Sequence, residues 1–380
     1  MEKKDKNLNV PNLRFPEFSG EWDNVSLGDI SDITKLAGFE FTQYVQYEDS
    51  GNIIALRGLN CKNGSLDLTD VKYIDNSILE KLTRSKLYVG DILFTYVGTV
   101  GEVAIIEEND RFYLAPNVSR IRVEQGYNPY FIKQLIHTKR FYNKIIFPLI
   151  ATSSQPALSM ENVRKFSLSI PQESEQGKLA EFLNILDQRI STQKKIIEKY
   201  ESLIRGLCEK LTRQGDANKS INECLECHSS TLQESSVMDD GKYPVYGATG
   251  ICGYTDTPDS TGDGILIIKD GASVGVTSYA EGCYSAIGTL NRLIAKQNIH
   301  LRYVYYCLKV MNFSTYKTGL AIPHIYFKDY GKHKIWCPSY EHQLHIANIL
   351  TQIDDNIQVE KSLLEQLNSQ KRYMLNQLFI

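Results

Sequence analysis

The feature that most constrains this chain is an internal repeat. Shifted by 167 positions, the sequence lays Pro156 on Pro323, Lys165 on Lys332, Pro171 on Pro338 and Gln176 on Gln343. Ala180, Leu183, Asp187 and Ile190 then meet Ala347, Leu350, Asp354 and Ile357. Lys194, Glu198, Ser202 and Leu211 meet Lys361, Glu365, Ser369 and Leu378. The offset runs without a gap from Pro156 to Leu211. Upstream the likeness is looser. Gly90-Asp91-Ile92-Leu93-Phe94 resembles Gly264-Ile265-Leu266-Ile267-Ile268, and each run leads into a glycine-bearing turn, Gly98–Gly101 and Gly271–Gly275. The order is variable block, repeat block, variable block, repeat block.

The repeat block reads as a long helix. Leu179, Leu183, Leu186, Ile190, Gln193, Ile197, Tyr200, Ile204, Leu207 and Leu211 alternate steps of four and three, as a coiled-coil seam does. The second copy gives Ile346, Leu350, Ile353, Ile357, Glu360, Leu364, Leu367, Lys371, Met374 and Leu378. Pro171 and Pro338 precede the helices, where a fixed φ is tolerated. Each stripe could pack on its own domain. Pairing of the two is favoured, because Gln193 and Glu360 interrupt both seams at one register, and a polar pair in a seam fixes alignment. From Leu179 to Leu211 such a helix rises about 48 Å at 1.5 Å per residue. An antiparallel pair of that length is a spacer between two similar domains. Duplex DNA offers half-sites about 34 Å apart per turn, so the scale suits a bipartite DNA ligand.

The variable blocks read as mixed α/β. Strands are expected at Asn52–Leu56, Asp91–Val97, Val103–Ile106 and Ser119–Val123, the last alternating apolar and charged residues as a half-buried strand does. A helix is expected from Phe131 to Tyr142, with Asn128 as cap and Pro129 in the first turn. The 23 tyrosines, many beside Thr, Ser, Asn and Gln, suit polar recognition and are equally ordinary surface residues.

Charge sets a limit on how such a chain could bind nucleic acid. The formal net charge over 380 residues is −3. Residues 1–150 carry 18 basic and 20 acidic groups, 151–215 carry 10 and 8, 216–320 carry 8 and 11, and 321–380 carry 6 and 6. No segment is a basic stripe, so bulk electrostatics alone would not hold DNA. The 42% hydrophobic content excludes wholesale disorder. No run of about 18 apolar residues suggests a membrane span. No apolar core follows Met1–Lys6, so no secretory signal is expected. Eight scattered cysteines read as reduced thiols of a cytoplasmic protein.

Three short motifs suggest an enzyme and fail on their surroundings. Asn128-Pro129-Tyr130-Phe131 is close to the Asn-Pro-Pro-Tyr loop of adenine methyltransferases, but it lacks the second proline and a Gly-rich cofactor loop. It reads as a helix start. Gly247-Ala248-Thr249-Gly250-Ile251-Cys252-Gly253 imitates a dinucleotide-binding turn, yet Tyr254–Ser260 cannot be the helix that must follow. It reads as a tight β-turn. Cys224-Leu225-Glu226-Cys227-His228 lacks a second ligand pair at zinc spacing, with Cys252 and Cys283 unsupported as candidates, and reads as incidental thiols. No phosphate loop, His-Glu-x-x-His or nucleophile elbow is present.

The layout resembles the specificity subunit of type I restriction-modification enzymes. Leu13-Arg14-Phe15-Pro16-Glu17-Phe18, Glu21-Trp22 and Leu27-Gly28-Asp29-Ile30 look like that family's opening. Gly90–Phe94 with Gly98–Gly101 resembles its target-recognition signature, and Tyr243–Gly247 through Gly250–Tyr254 is similar to the start of another version of that domain. The second variable block lacks the Trp and Leu-Gly-Asp-Ile opening and begins Ser220-Ile221-Asn222-Glu223-Cys224-Leu225. The two domains are therefore different subtypes.

The resemblance implies an α+β fold. Two mixed α/β target-recognition domains would be separated by two long helices forming an antiparallel coiled coil, in a pseudo-two-fold internal repeat. The expected boundaries are 1–154 for the first recognition domain, 155–213 for the central helix, 214–322 for the second domain and 323–380 for the C-terminal helix. The seam would comprise Leu179, Leu183, Leu186, Ile190, Ile197, Ile204 and Leu207 against Ile346, Leu350, Ile353, Ile357, Leu364 and Leu367. The resemblance also implies a non-catalytic, cytoplasmic subunit that reads a bipartite double-stranded DNA target. It would dock two modification (methyltransferase) subunits and restriction (translocase and nuclease) subunits, and no membrane. S-adenosylmethionine, ATP and magnesium would belong to those partners, with no cofactor or metal in this chain.

Candidate DNA contacts lie on turns beside strands. In the first domain they are Gln43, Tyr44, Gln46, Arg57, Tyr96, Thr99, Asn117, Arg120 and Arg122, with Ser154 and Gln155 at the helix junction. In the second they are Tyr246, Thr249, Tyr254, Lys269, Ser273, Asn291, Arg292 and Lys317, with His324 near the junction. Arg120 and Arg122 share one face of their strand and form the more specific pair. Two other functions compete: a self-contained adenine-specific DNA methyltransferase resting on Asn128, and a scaffold that ignores DNA.

Overall fold

The computed structural model describes residues 9–36, 38–75, 83–151, 155–319 and 321–380. The chain forms two compact units, Met1–Thr192 with Glu365–Ile380, and Gln193–Leu364. The division falls inside the two long helices, Glu173–Thr212 and Tyr340–Leu378, so each unit takes a piece of both.

The first unit is built on a four-stranded antiparallel sheet in the order Ser31–Lys35, Val118–Val123, Ile92–Thr95, Val103–Ile105. Side chains alternate across a strand, and here both faces are covered. Ile92, Phe94, Val103 and Ile121 enter one core with Trp22, Leu27 and Phe131. Leu93, Ala104 and Val118 enter another with Ile54, Leu56 and Leu114 of a second, mixed sheet. The half-buried reading of Ser119–Val123 is thereby corrected, since Val118–Ile121 is buried on both sides. The Leu27–Ile30 opening also has a structural reason. A Cβ on Gly28 would lie 2.9 Å from Arg164 Cβ and 3.1 Å from its carbonyl, so only glycine allows that approach.

The expected Phe131–Tyr142 helix is shorter. It spans Pro129–Ile136, with the Asn128 carboxamide accepting from the Tyr130 and Phe131 N–H groups. It ends because Thr138 Oγ1 donates to the Leu135 carbonyl and accepts from Phe141 N–H, starting a new turn.

The second unit repeats the sheet order with Leu225–Ser229, Leu290–Ala295, Gly264–Ile268 and Thr277–Ala280, all antiparallel. Again two cores cover it. Ile265, Ile267 and Leu293 belong to one, and Leu266, Ile268 and Leu290 to the other. The repeat offset holds on one strand of a further pair in each unit, Ser167 matching Lys334 and Leu168 matching Ile335. Asp23–Ser26 pairs with Ser167–Ile170, and Lys219–Ser220 with Lys334–Ile335.

Within each unit the helix pieces pack together in antiparallel fashion. In the first, Leu179, Ala180 and Leu183 share a core with Leu378 and Phe379, and Lys371 Nζ lies 2.5 Å from Asp187. Phe379 closes this end, its ring 5.4 Å from Phe131 and 6.5 Å from Trp22. In the second, Ile204 and Cys208 share a core with Ile346, Leu350 and Ile357, and Lys361 lies 2.6 Å from Glu201. Gln193 donates to the Glu360 carbonyl at 3.0 Å and to its carboxylate. These two residues are counterparts in the repeat, and they bond to each other. Of the expected seam, Leu179, Leu183, Ile190, Ile197, Ile204, Ile346, Leu350, Ile357 and Leu367 are buried, and Leu186, Leu207, Ile353 and Leu364 half-buried.

Two predictions follow from this packing. Phe379→Ala should destabilise the first unit by about 3 kcal/mol in chemical denaturation, whereas Val359→Ala, 65% exposed, should change stability by less than about 0.5 kcal/mol. The second concerns His137, whose Nδ1 is buried without a hydrogen-bond partner. Burial, with Lys133 and Lys371 adding to it, holds this imidazole down to about 4. The unfolded imidazole takes a proton near pH 6.5 and the folded one only near pH 4, so stability falls as pH drops through that window. Between pH 7.5 and 5 the loss should be about 2 kcal/mol, and His137→Asn should remove that part of the slope.

Candidate nucleic-acid interface

The glycine-bearing turns are held by the same backbone bonds in both units. In the first, Gly98 N–H donates to the Pro156 carbonyl at 2.9 Å, and Leu158 N–H to the Tyr96 carbonyl at 2.8 Å. In the second, Gly271 N–H donates to the Pro323 carbonyl at 2.9 Å, and Ile325 N–H to the Lys269 carbonyl at 3.0 Å. Each turn then closes on its own strand, Gly101 N–H to Thr95 and Gly275 N–H to Ile268. The repeat that aligns Pro156 with Pro323 therefore places one proline carbonyl on one glycine N–H in each unit. Both closing glycines have positive φ, +96° and +91°, and each lies over an aromatic side chain. A Cβ would sit 2.9 Å from the Tyr142 ring at Gly101 and 2.8 Å from Phe313 Cβ at Gly275.

A second pair of equivalent contacts joins each sheet unit to its long helix. Gln176 Oε1 accepts from Asn128 N–H at 2.9 Å while its amide donates to the Pro171 carbonyl at 2.9 Å. Gln343 accepts from His300 N–H at 2.9 Å and donates to the Pro338 carbonyl at 2.8 Å. Both glutamines are almost fully buried. The short helices that begin after Asn128 and His300 are thus tied to the start of each long helix.

The candidate contacts fall into three groups. Gln43, Gln46, Thr99, Asn117, Gln155, Thr249, Tyr254, Ser273 and Lys317 are exposed. Asn117 holds a left-handed conformation, φ +69°, beside the first glycine turn, where its carbonyl accepts from Tyr96 N–H. Tyr44, Arg57, Arg122, Tyr246, Lys269, Arg292 and His324 are half-buried. Tyr96, Arg120 and Asn291 are buried. Ser154 lies outside the described residues.

The guanidinium groups have partners inside the protein. Arg120 and Arg122 share a face, as the alternation predicts, and each meets a carboxylate. Arg120 pairs with Asp32 and donates to the Arg84 carbonyl at 3.1 Å. Its pKa is lowered by burial first and by Arg122 beside it. Arg122 grips Asp91 with two bonds of 2.7 Å and stacks 4.9 Å from the Tyr88 ring. Arg57 pairs with Asp70 at 2.9 Å. Arg292 donates to Tyr284 Oη at 2.9 Å and to the Thr261 carbonyl at 2.7 Å. The Asn291 carboxamide accepts from Ser229 Oγ at 2.8 Å.

Two features escaped sequence reasoning. Lys35 places its ammonium 5.2 Å from the Tyr96 ring, a contact between strands that no local pattern signals. Ile322, the register counterpart of Gln155, is 66% exposed, and the alignment of the repeats could have drawn attention to it.

The enzyme-like motifs resolve into scaffold. Tyr243–Gly247 pairs antiparallel with Gly250–Thr255 around an Ala248-Thr249 turn. Cys224 is buried, and His228 lies 3.3 Å from Glu226. Among the described residues no group of His, Cys, Asp and Glu is arranged to hold a metal ion. No described helix is long and apolar enough to cross a membrane.

Two α/β units with one strand order, joined through paired helices, define a duplicated recognition module. The chain belongs to the type I restriction modification DNA specificity domain family, which it matches twice, at residues 19–202 and 218–369. It is similar to a putative type I restriction enzyme MjaX specificity subunit of Methanocaldococcus jannaschii, 25% identical over 55% of this chain and 50% of the relative. It is also similar to the type I restriction enzyme EcoprrI specificity subunit of Escherichia coli, 29% identical over 30% of this chain and 28% of the relative. The matched stretches thus span half or less of these curated relatives. In fold it resembles the type I restriction-modification S subunit from M. genitalium, with TM-score 0.69, 17% identity and coverage of 98% and 99% of the two chains. A chain from a structure on complex assembly and conformational transition of the type I R-M system matches with TM-score 0.52, 15% identity and coverage of 94% and 97%.

The paired turns yield a direct test. Gly101→Ala and Gly275→Ala should each lose more stability than Gly126→Ala, where φ is also positive, +92°, but the space is open. Strain alone costs about 1–2 kcal/mol, and the aromatic clash should add to it. Equal losses at all three positions, measured by denaturation, would mean that the rings do not confine these turns.

Proposed function

We propose that the chain is the DNA sequence-specificity subunit of a type I restriction-modification complex. Each unit reads one half of a bipartite target in double-stranded DNA. The observation that carries this reading is the duplicated turn, fixed by the same proline contact in two units whose second sheets differ. One unit adds a three-stranded sheet and the other a four-stranded one, and on this reading the half-sites differ in sequence. The long helices set the spacer and dock two modification subunits, with restriction subunits added to that assembly in the cytoplasm. The chain itself is non-catalytic. S-adenosylmethionine, ATP and magnesium act in the partners.

Methylome sequencing of a host expressing the chain with its modification subunit tests this. The expected result is adenine methylation at one asymmetric bipartite sequence. Methylation by the purified chain alone would instead support the self-contained adenine methyltransferase. A near-neutral charge predicts weak DNA binding by the lone chain and tight binding only in the complex. Adding one heptad to Leu179–Leu211, with a compensating heptad in Tyr340–Leu378, should change the spacer and leave both half-sites intact. Methylation at the original spacing would remove the helices as a ruler.

A further inference from the structure

We propose that Ile322 is the apolar finger with which the second unit reads a thymine methyl group in the major groove. The inference rests on the DNA-recognition reading above and assigns it a side chain and a chemical group.

Ile322 is the most exposed large apolar side chain described in this unit, at 66%. Backbone bonds fix the residues that flank it. Thr318 N–H donates to the His324 carbonyl at 2.9 Å, and His324 N–H to the Thr318 carbonyl at 2.8 Å. The Pro323 carbonyl accepts from Gly271 at 2.9 Å, and Ile325 N–H donates to Lys269 at 3.0 Å. Gly319 permits the turn with φ +88°, and a Cβ there would lie 2.4 Å from the Ile322 carbonyl. Pro323 and Ile325, on the C-terminal side of Ile322, are thus fastened to the glycine turn Gly271–Gly275 and the strand end before it.

The surroundings favour DNA over an apolar protein partner. From Lys317 to Lys328 the chain carries two lysines and no carboxylate, and Asp329 follows. Lys269 belongs to the strand end that bonds this segment, and Asp270 beside it bridges to His324. Three lysines against two aspartates leave a small positive excess around a branched aliphatic group, which suits a polyanion with an apolar patch on its base edges. In the major groove that patch is the thymine C5-methyl. The first unit has Gln155 at the counterpart position, and a carboxamide pairs with adenine instead. One scaffold position would thus read different bases in the two half-sites.

The test uses the full chain assembled with its modification subunit, on duplexes carrying its methylated target. Each thymine of the target is replaced in turn by uracil, which removes only the methyl group. One replacement should weaken binding about four-fold, the loss expected for one methyl group. That loss should vanish with Ile322→Ala, which lies at an exposed tip. Ile322→Gln should still support methylation but shift the preferred base at the same position. If Ile322→Ala retains every uracil penalty, or the target has no thymine whose methyl matters, the finger is overturned while the DNA-recognition reading stands. If the wild-type complex methylates no defined sequence, the broader reading falls and takes this one with it.

Discussion

A helix of about forty residues carries more apolar stripe than one small sheet unit can cover. The ends of the stripe go into domain cores, as Leu179 and Leu183 do with Trp22 and Phe131, and Ile346 and Leu350 with Tyr303. The remainder needs another apolar stripe of matching period, and the second copy of the repeat provides it. Burial alone would tolerate several registers. The contact between Gln193 and Glu360 does not, because a slip would leave the 6%-exposed Gln193 amide without its acceptors. The polar pair therefore gives up some stability to fix one register.

The same economy appears at the recognition turns. Their geometry is not set by the side chains that would touch a ligand. It is set by backbone bonds to Pro156 and Pro323 and by glycines over Tyr142 and Phe313. Tip residues can then vary without disturbing the frame, as Gln155 and Ile322 do. This separation explains why the repeat is tight in the helix block and loose upstream of it.

Much of this was legible in the sequence because it depends on period and register. The 167-position shift carries the seam and the meeting of Gln193 with Glu360. What remained hidden depends on partners distant in the chain. The alternating pattern of Ser119–Val123 cannot tell a charge facing water from one facing a carboxylate. Arg120 finds Asp32, 88 positions away, and Arg122 finds Asp91. A second sheet then covers the face that alternation assigns to solvent. The break at Thr138 was hidden for a related reason, since a threonine hydroxyl can continue a helix or end it, depending on what it bonds.

These internal ion pairs also change the meaning of the charge. A net charge of −3 leaves few basic groups in excess, and several candidate guanidiniums are committed to Asp32, Asp70 and Asp91. Each of these pairs keeps one partner at the surface, but the guanidinium is already engaged with the scaffold before any phosphate approaches. The candidate groups left exposed are hydroxyls, carboxamides and Lys317. Under the proposed function such groups would discriminate base edges at close range but attract DNA poorly from a distance. Selectivity without attraction would then require another protein to supply the attraction, which is what the proposed complex provides.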